Sequence, residues 1–435
     1  MIQTSDDRAQ LRQLTRPELT VLQLQKLNKV LESATQQRFY SKRLKMVGLP
    51  IRSLDQLSEI PLTAKSDLLP DERGQAARIF HLPLAQYTRM HQTSGTSGWP
   101  MPVYDSPEDW DWWLHCWQFV LDAADVTSND VAMMAFSFGP FIGFWTANDA
   151  LVQRGVTVVP GGGMTSEARL QMIADHRCTL VCCTPTYALH LAAVAQQKQM
   201  DLTANSVTRI IVAGEPGGSV PTVRRRIEES WAAKVIDHSG ASEIGAWGFG
   251  SPDGKGLHVI ETEFIAERLK FDDDHPEGTP GTDGEEAELV LTNLGRLGGP
   301  LIRYRTGDIV RSYREHQYPC KFLWLDGGVL GRTDDMMVIR GVNVFPSSIE
   351  SIVREIDATA EFRIVATRKD EMDQLAVDVE LGEADATRLS DLLRDRLAMR
   401  VQVNTVPSGT LPRFQAKARR LDDRRGQSET LSADS

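Results

Sequence analysis

"VTVVPGGGMTSEARLQMIADHRCTLVCCTP", residues 156–185, is the stretch that decides the fold. It begins as a β-branched apolar run, breaks at Gly161, Gly162 and Gly163, and resumes behind Thr165 and Ser166 with apolar residues at helical spacing. A second apolar run, "TLVCCTP" (179–185), follows at once. The order is strand, glycine loop, helix, strand. Neither run alternates with polar residues, as expected of strands covered on both faces in a parallel sheet. Upstream, "VAMMAFSF" (131–138) predicts a strand and "FWTANDALVQRG" a helix ending at Gly155. Downstream, "TYALHLAAVAQQKQ" and "VPTVRRRIEESWA" predict helices, while "VTRIIVAGEPGG" (207–218) and "AKVIDHSGASEIG" predict strands that run into loops. The fold class is α/β, with helices on both sides of a mostly parallel sheet. Ligands in such sheets bind beyond the carboxyl ends of the strands. Here those ends read "PGGG", "TPTY", "AGEPGG" and "HSGASE", rich in glycine, hydroxyls or a carboxylate.

Residues 18–45 carry Leu22, Leu24, Leu27, Val30 and Leu31 at helical spacing and predict an amphipathic helix. After residue 255 short alternating runs such as "GLHVIETEFIAERL" and "EEAELVLTNL" predict a β-rich subdomain, with 271–286 as its acidic surface loop. From about Asp334 a strand, helix, two strands and a helix predict a small α+β domain with its own apolar faces. The expected divisions are 1–333, 334–422 and a polar, disordered tail at 423–435.

The chain has 435 residues and a formal net charge of −11. That balance argues against unspecific binding to nucleic acid or an anionic membrane. The N-terminus lacks the apolar core of a signal peptide and no run reaches membrane-span length, so a cytoplasmic protein is expected. The five cysteines, Cys116, Cys178, Cys182, Cys183 and Cys320, lack metal-ligand spacing and read as reduced thiols. His258 and Cys320 alone do not make a zinc site.

"HQTSGTSGWP" (91–100) sets Thr93, Ser94, Thr96 and Ser97 around Gly95 and Gly98. Such a loop exposes backbone N–H groups and can wrap a phosphate. It is not a Walker A loop, and by itself such a stretch is more often just a turn. It is followed in order by "AGEPGG" (213–218), "HSGASE" (238–243), "LIRYRTGD" (301–308), "GRTDD" (331–335) with "RG" (340–341), and "LPRFQAKARR" (411–420). Order and spacing resemble the adenylate-forming superfamily of acyl-CoA ligases and adenylation domains. "PLIRYRTGDI" and "GRTDDMMVIRGVNVFPSSIE" most resemble the phenylacetate-CoA ligase family.

The resemblance implies a large ATP- and acid-binding domain and a small mobile one. It implies ATP, Mg²⁺ and a thiol, coenzyme A or a phosphopantetheine arm, as reactants. Residues 93–98 would hold the β,γ-phosphates, and Glu243, beside Ser242, would hold Mg²⁺. Gly214, Glu215 and Pro216 would line the adenine, and Asp308 and Arg332 would meet ribose or phosphate. Asp334 would be the pivot, Arg340 and Gly341 would face the incoming thiol, and Lys417 would stabilise charge in the transition state. Plainer readings stand beside each: a turn for "AGEP", an Asx turn for Asp308, a solvated charge run for "AKARR".

The family's usual aromatic residue in the Ser239–Gly240–Ala241 stretch is replaced by Ser239, leaving His238 as a candidate for the adenine or, equally, a satisfied structural histidine. Trp99 stands where a lysine is common. "FSFGPFIGFWTAND" (136–149) offers Phe136, Phe138, Phe141, Phe144 and Trp145 as lining of the acid pocket or as core packing. No zinc is expected. The leading expectation is AMP-forming ligation of a hydrophobic, preferentially aromatic, carboxylic acid to coenzyme A. The alternatives are transfer to a carrier protein or an amine, or a catalytically silent nucleotide-binding homologue. A homodimer is compatible with the resemblance.

Overall fold

The computed structural model describes residues 4–72, 74–93, 100–140, 142–333, 337–339, 342–369, 372–397, 399–413 and 420–425. Ser94, Gly95, Thr96, Ser97, Gly98, Phe141, Asp334, Arg340, Gly341 and Lys417 lie outside the described residues.

Local chemistry sets the helix starts. The helices Pro107–Ala123, Pro185–Gln197 and Pro221–Trp231 each place proline in the first turn, where no N–H is needed. Ser106 and Asp109 close a capping box on the first of these, and Thr184 caps the second. The predicted long N-terminal helix is Arg16–Thr35, interrupted before a short turn of helix at Arg38–Arg43. Its core face is Leu19, Leu27, Val30, Leu31 and Ala34.

Two strands, β1 (Arg89–Gln92) and β2 (Pro102–Asp105), form an antiparallel pair. The strands β3 (Val131–Met134), β4 (Thr157–Pro160), β5 (Leu180–Cys183), β6 (Arg209–Val212) and β7 (Lys234–Ala241) follow. Next come β8 (Gly245–Gly250), β9 (Gly256–Val259), β10 (Phe264–Lys270), β11 (Thr279–Pro280), β12 (Glu286–Asn293), β13 (Tyr304–Tyr313) and β14 (Trp324–Arg332). Among the described residues, β3 to β14 make one 12-stranded sheet in the order β11-β10-β12-β13-β14-β9-β8-β7-β6-β5-β3-β4. From β4 to β7 the pairing is parallel, and β7–β8–β9–β14 is antiparallel. The β-rich region after residue 255 is joined to the parallel strands through β7. The β7–β8 turn at Glu243 reverses the chain, so its strands continue the same sheet. The strand predicted at 131–138 ends at Met134.

The tryptophan-rich helix Pro107–Ala123 packs in the main core, with Trp110, Trp112, Trp113 and Trp117 all buried. The indole N–H of Trp113 donates to Asp105 at 3.1 Å and that of Trp112 to Glu263 at 2.9 Å. Buried indoles keep a polar partner in this way. A second core lies around Val181, Cys183, Ile210, Val212 and Trp231.

The chain divides into two compact units, Met1–Val329 and Leu330–Ser435. The second holds the hairpin of β15 (Met337–Ile339) and β16 (Val342–Val344), and β17 (Phe362–Lys369), β18 (Met372–Val379), β19 (Gln402–Thr405) and β20 (Leu421–Asp423). The last four form a sheet in the order β19-β18-β17-β20, with helices Pro346–Ile356 and Glu383–Leu397 contributing to its core. Asp423, expected to start the disordered tail, instead ends β20. Among the described residues no helix is long and apolar enough to cross a membrane.

Candidate active site

The hairpin β1–β2 brackets the hydroxyl- and glycine-rich loop. Thr93 N–H donates to the Met101 carbonyl at 3.1 Å, and Met101 N–H donates to Thr93 Oγ1 at 3.1 Å. Both described ends of the loop are thereby tied at one point. Thr93 is buried by this closure.

Glu243 sits in the turn after β7 and is buried. Its Oε1 lies 2.9 Å from Lys65 Nζ and accepts the Tyr304 hydroxyl at 3.3 Å. Its other oxygen accepts no hydrogen bond from a described residue. Lys65 begins a short helix, Lys65–Leu68, that is far from Glu243 in sequence, and nothing in its local pattern singled it out. The turn itself is held from behind by Arg296, which is fully buried. Its Nη1 donates to the carbonyls of Ser242 at 3.2 Å and Glu243 at 2.7 Å. Its Nη2 reaches the Tyr104 carbonyl at 3.1 Å and the Asp105 carboxylate at 2.7 Å. One guanidinium thus joins the strand leaving the glycine-rich loop to the turn carrying Glu243.

The loop after β6 holds Gly214, Glu215 and Pro216. Gly214 has φ +92°, a left-handed conformation that a side chain strains. The Glu215 carboxylate accepts from the Thr186 N–H at 2.8 Å and from its hydroxyl, so the side chain reaches back to the first turn of helix Pro185–Gln197. What the loop offers a ligand is its backbone. Gly218 admits Asp237, since a Cβ there would stand 2.5 Å from that carboxylate. Asp237 is buried, accepts the Ser219 hydroxyl at 2.5 Å, and is pushed up to about 6 by burial.

Asp308 lies on β13 behind Gly307, whose φ of +76° accompanies a register shift against β12. Asp308 N–H donates to Thr306 Oγ1 at 3.0 Å. Arg305, ambiguous in sequence, pairs with Glu288 at 2.6 Å and covers the Phe271 ring, a structural role. Arg332 ends β14 in the second unit, next to Gly331, where a Cβ would meet the Phe345 ring at 2.9 Å.

Ser239, Gly240 and Ala241 on β7, and Ser242 just after it, are half-buried or exposed, whereas His238 is buried. Its Nδ1 donates to the Gly248 carbonyl at 2.8 Å and its ring lies 4.3 Å from that of Trp117. Burial holds its pKa down, to about 4. The Trp117 ring packs against the imidazole, which ends a run of rings. Trp145 meets Phe138 at 4.6 Å, Phe138 meets Phe136 at 4.4 Å, Phe136 meets Phe144 at 5.3 Å and Phe144 meets Trp117 at 6.1 Å. Phe144 is core, while Phe136, Phe138 and Trp145 are only partly buried.

Among the described residues no group of three or more His, Cys, Asp or Glu side chains could cage a metal. Cys116, Cys178, Cys182 and Cys183 are buried, and burial raises the thiol of Cys182 to about 12. They pack and do not react.

Residues 341–425 match the family of AMP-binding enzyme C-terminal domains. A solved structure of 2-hydroxyisobutyryl-CoA ligase in the postadenylation state with 2-HIB-AMP superposes with a TM-score of 0.85 at 26% identity, covering 94% of this chain and 90% of that one. The same ligase in its thioesterification state, with 2-HIB-AMP and CoA, gives 0.70. The fold is that of the adenylate-forming enzymes. The chain is 31% identical to the phenylacetate-coenzyme A ligase of Escherichia coli (strain K12) over 94% of its own length and 95% of the other's. It is 28% identical to that of Thermus thermophilus over 96% and 99%. The chain belongs to the phenylacetate-CoA ligase family, whose members are AMP-forming acid–thiol ligases.

Proposed function

We propose that the protein joins an aromatic or otherwise hydrophobic carboxylic acid to coenzyme A through an acyl-AMP intermediate. In the first half-reaction a carboxylate oxygen attacks the α-phosphorus of ATP and pyrophosphate leaves. In the second, the thiol sulfur attacks the acyl carbon, loses its proton, and AMP leaves. Bringing one anion to a polyanion is a problem of positioning and charge stabilisation. The observation that carries this reading is the Glu243–Lys65–Tyr304 cluster at the carboxyl end of β7, where open sheets bind ligands.

Within this reading Glu243 suits a magnesium ion. One oxygen is left without a hydrogen bond from the described residues, and Mg²⁺ needs only one or two carboxylates beside phosphate oxygens and water. A bound ion would screen the phosphates. Lys65 supplies the mobile cation that Trp99 does not. The peptide N–H groups and hydroxyls of residues 93–98 hold the leaving pyrophosphate, the 214–216 backbone meets the adenine, and Asp308 and Arg332 meet ribose or phosphate. The partly buried rings of Phe136, Phe138 and Trp145, with Phe141, line an apolar acid pocket. Arg340 and Gly341 face the thiol after a rotation at Asp334.

Pyrophosphate release across a panel of aryl and alkyl acids, followed by thioester formation with coenzyme A, tests the reading. Absence of release with every acid identifies a silent nucleotide binder. Release without a CoA thioester points to a carrier-protein thiol or an amine as acceptor. Lys417→Ala is expected to slow adenylation by about 10²-fold or more, the scale of one lost oxyanion-type donor. Its thiolysis of pre-formed acyl adenylate should change far less, and equal loss in both steps would contradict the assigned role.

A further inference from the structure

The run of rings from Trp145 to Trp117 is apolar, but it terminates on a polar atom. His238 is 7% exposed, and its Nδ1 is committed to the Gly248 carbonyl at 2.8 Å. A carbonyl only accepts, so Nδ1 carries the proton, and the neutral ring presents a bare lone pair at Nε2. That nitrogen has no hydrogen-bond partner among the described residues. It is also not one of the side-chain atoms sealed from solvent without a partner, as Nε2 of His258 is. It lies 3.4 Å from where a Cβ on Gly240 would stand, and Gly240 is exposed. Since Gly240 is two residues further along the same face of β7, Nε2 points toward the carboxyl end of the strand, where the reactants would meet. The Trp117 ring at 4.3 Å covers the imidazole, and Phe144 is the next ring in the run.

We infer that His238 is a specificity-determining residue whose Nε2 accepts a hydrogen bond from a hydroxyl or amino group on the acid, so that the preferred substrate is a hydrophobic acid bearing a hydrogen-bond donor. This rests on the acid-activating reading above. An unsubstituted aryl or alkyl acid would cover Nε2 and leave it dry and unpaired, and a site built around a polar partner rejects the analogue that lacks it. Within the pocket the position of the donor is fixed, because the Gly248 bond and Trp117 hold the ring from two sides.

The test compares pyrophosphate release with matched pairs: benzoate and phenylacetate, short branched alkanoates, and the same acids carrying a hydroxyl or amino group at each position. The wild type is expected to favour at least one donor-bearing acid over its parent by about 10²-fold or more in kcat/KM. His238→Asn places an amide N–H where Nδ1 stands, so it can keep the Gly248 bond while deleting Nε2. It is expected to reduce that preference at least about tenfold. His238→Leu should turn the preference toward the unsubstituted acid. Each ratio is read within one preparation, so a loss of folded protein cancels. Release with both members of every pair at ratios near one, or a preference that survives in His238→Asn, overturns this inference and leaves acid activation standing. No release with any acid overturns both.

Discussion

Lys65 and Glu243 show how a single contact changes the reading of a residue. By itself the carboxylate is a strand-end acid, but at 2.9 Å from an ammonium it becomes half of a charge pair poised for a third, anionic partner. Lys65→Met is expected to raise the KM for ATP and lower adenylation by about 10–10²-fold, since a cation aimed at developing phosphate charge is lost. Pyrophosphate release measured against ATP concentration checks this. An unchanged KM with unchanged kcat would mean that Lys65 only neutralises Glu243. His238 makes the same point in an apolar setting. Its neighbour in sequence, Asp237, faces Ser219, while the histidine faces Trp117, because successive side chains of a strand point to opposite faces.

At the level of elements, the site is assembled from pieces that are irregular where the chemistry is. β2, the β7–β8 turn and the loop after β6 are each short, and each is tied by a side-chain contact to a distant element. Arg296 is the clearest case, since it joins β2 to the turn of Glu243 through one fully buried guanidinium. Burial already pushes the Asp105 carboxyl up, with Arg296 opposing. Arg296→Met would leave that carboxylate buried without its cation, a change expected to cost about 3–5 kcal/mol. Urea unfolding measures it, and Arg296→Met combined with Asp105→Asn should recover part of the loss. If the single variant were as stable as the wild type, the pair would not be holding the two elements together.

At the scale of the molecule, buried histidines set the response to acid. Burial holds His91, His238 and His258 near a pKa of about 4. The unfolded chain binds those protons first, so their stabilisation is full above about pH 6.5 and is lost as the pH falls toward 4. Asp237, raised to about 6, works in the opposite sense, because the folded form gains its proton first. At pH 5 the three histidines withdraw on the order of 2 kcal/mol each, against about 1 kcal/mol returned by Asp237. All nine tryptophans precede residue 330, so their fluorescence follows the first unit alone. Its urea midpoint is expected to drop between pH 7 and pH 5, and His258→Gln should flatten that drop. A midpoint that rises toward pH 5 would contradict the assignment.

The sequence alone determined the strand–helix alternation, the helix starts and the six motifs in order, because each is written in neighbouring residues. Apolar periodicity, a capping threonine and a first-turn proline act within a few positions, and Gly218 or Gly307 marks a place where the backbone or a neighbour leaves no room for a side chain. It also marked Glu243, Asp308 and the aromatic run as candidates. Only the tertiary structure decided that the strands after residue 255 extend one sheet, that Lys65 and Arg296 converge on Glu243, and that Glu215 caps a helix. It likewise decided that His238 packs against Trp117. Those facts depend on strand pairing, and on which face of the sheet meets which helix, and both are fixed by burial across long stretches of chain that no local pattern records.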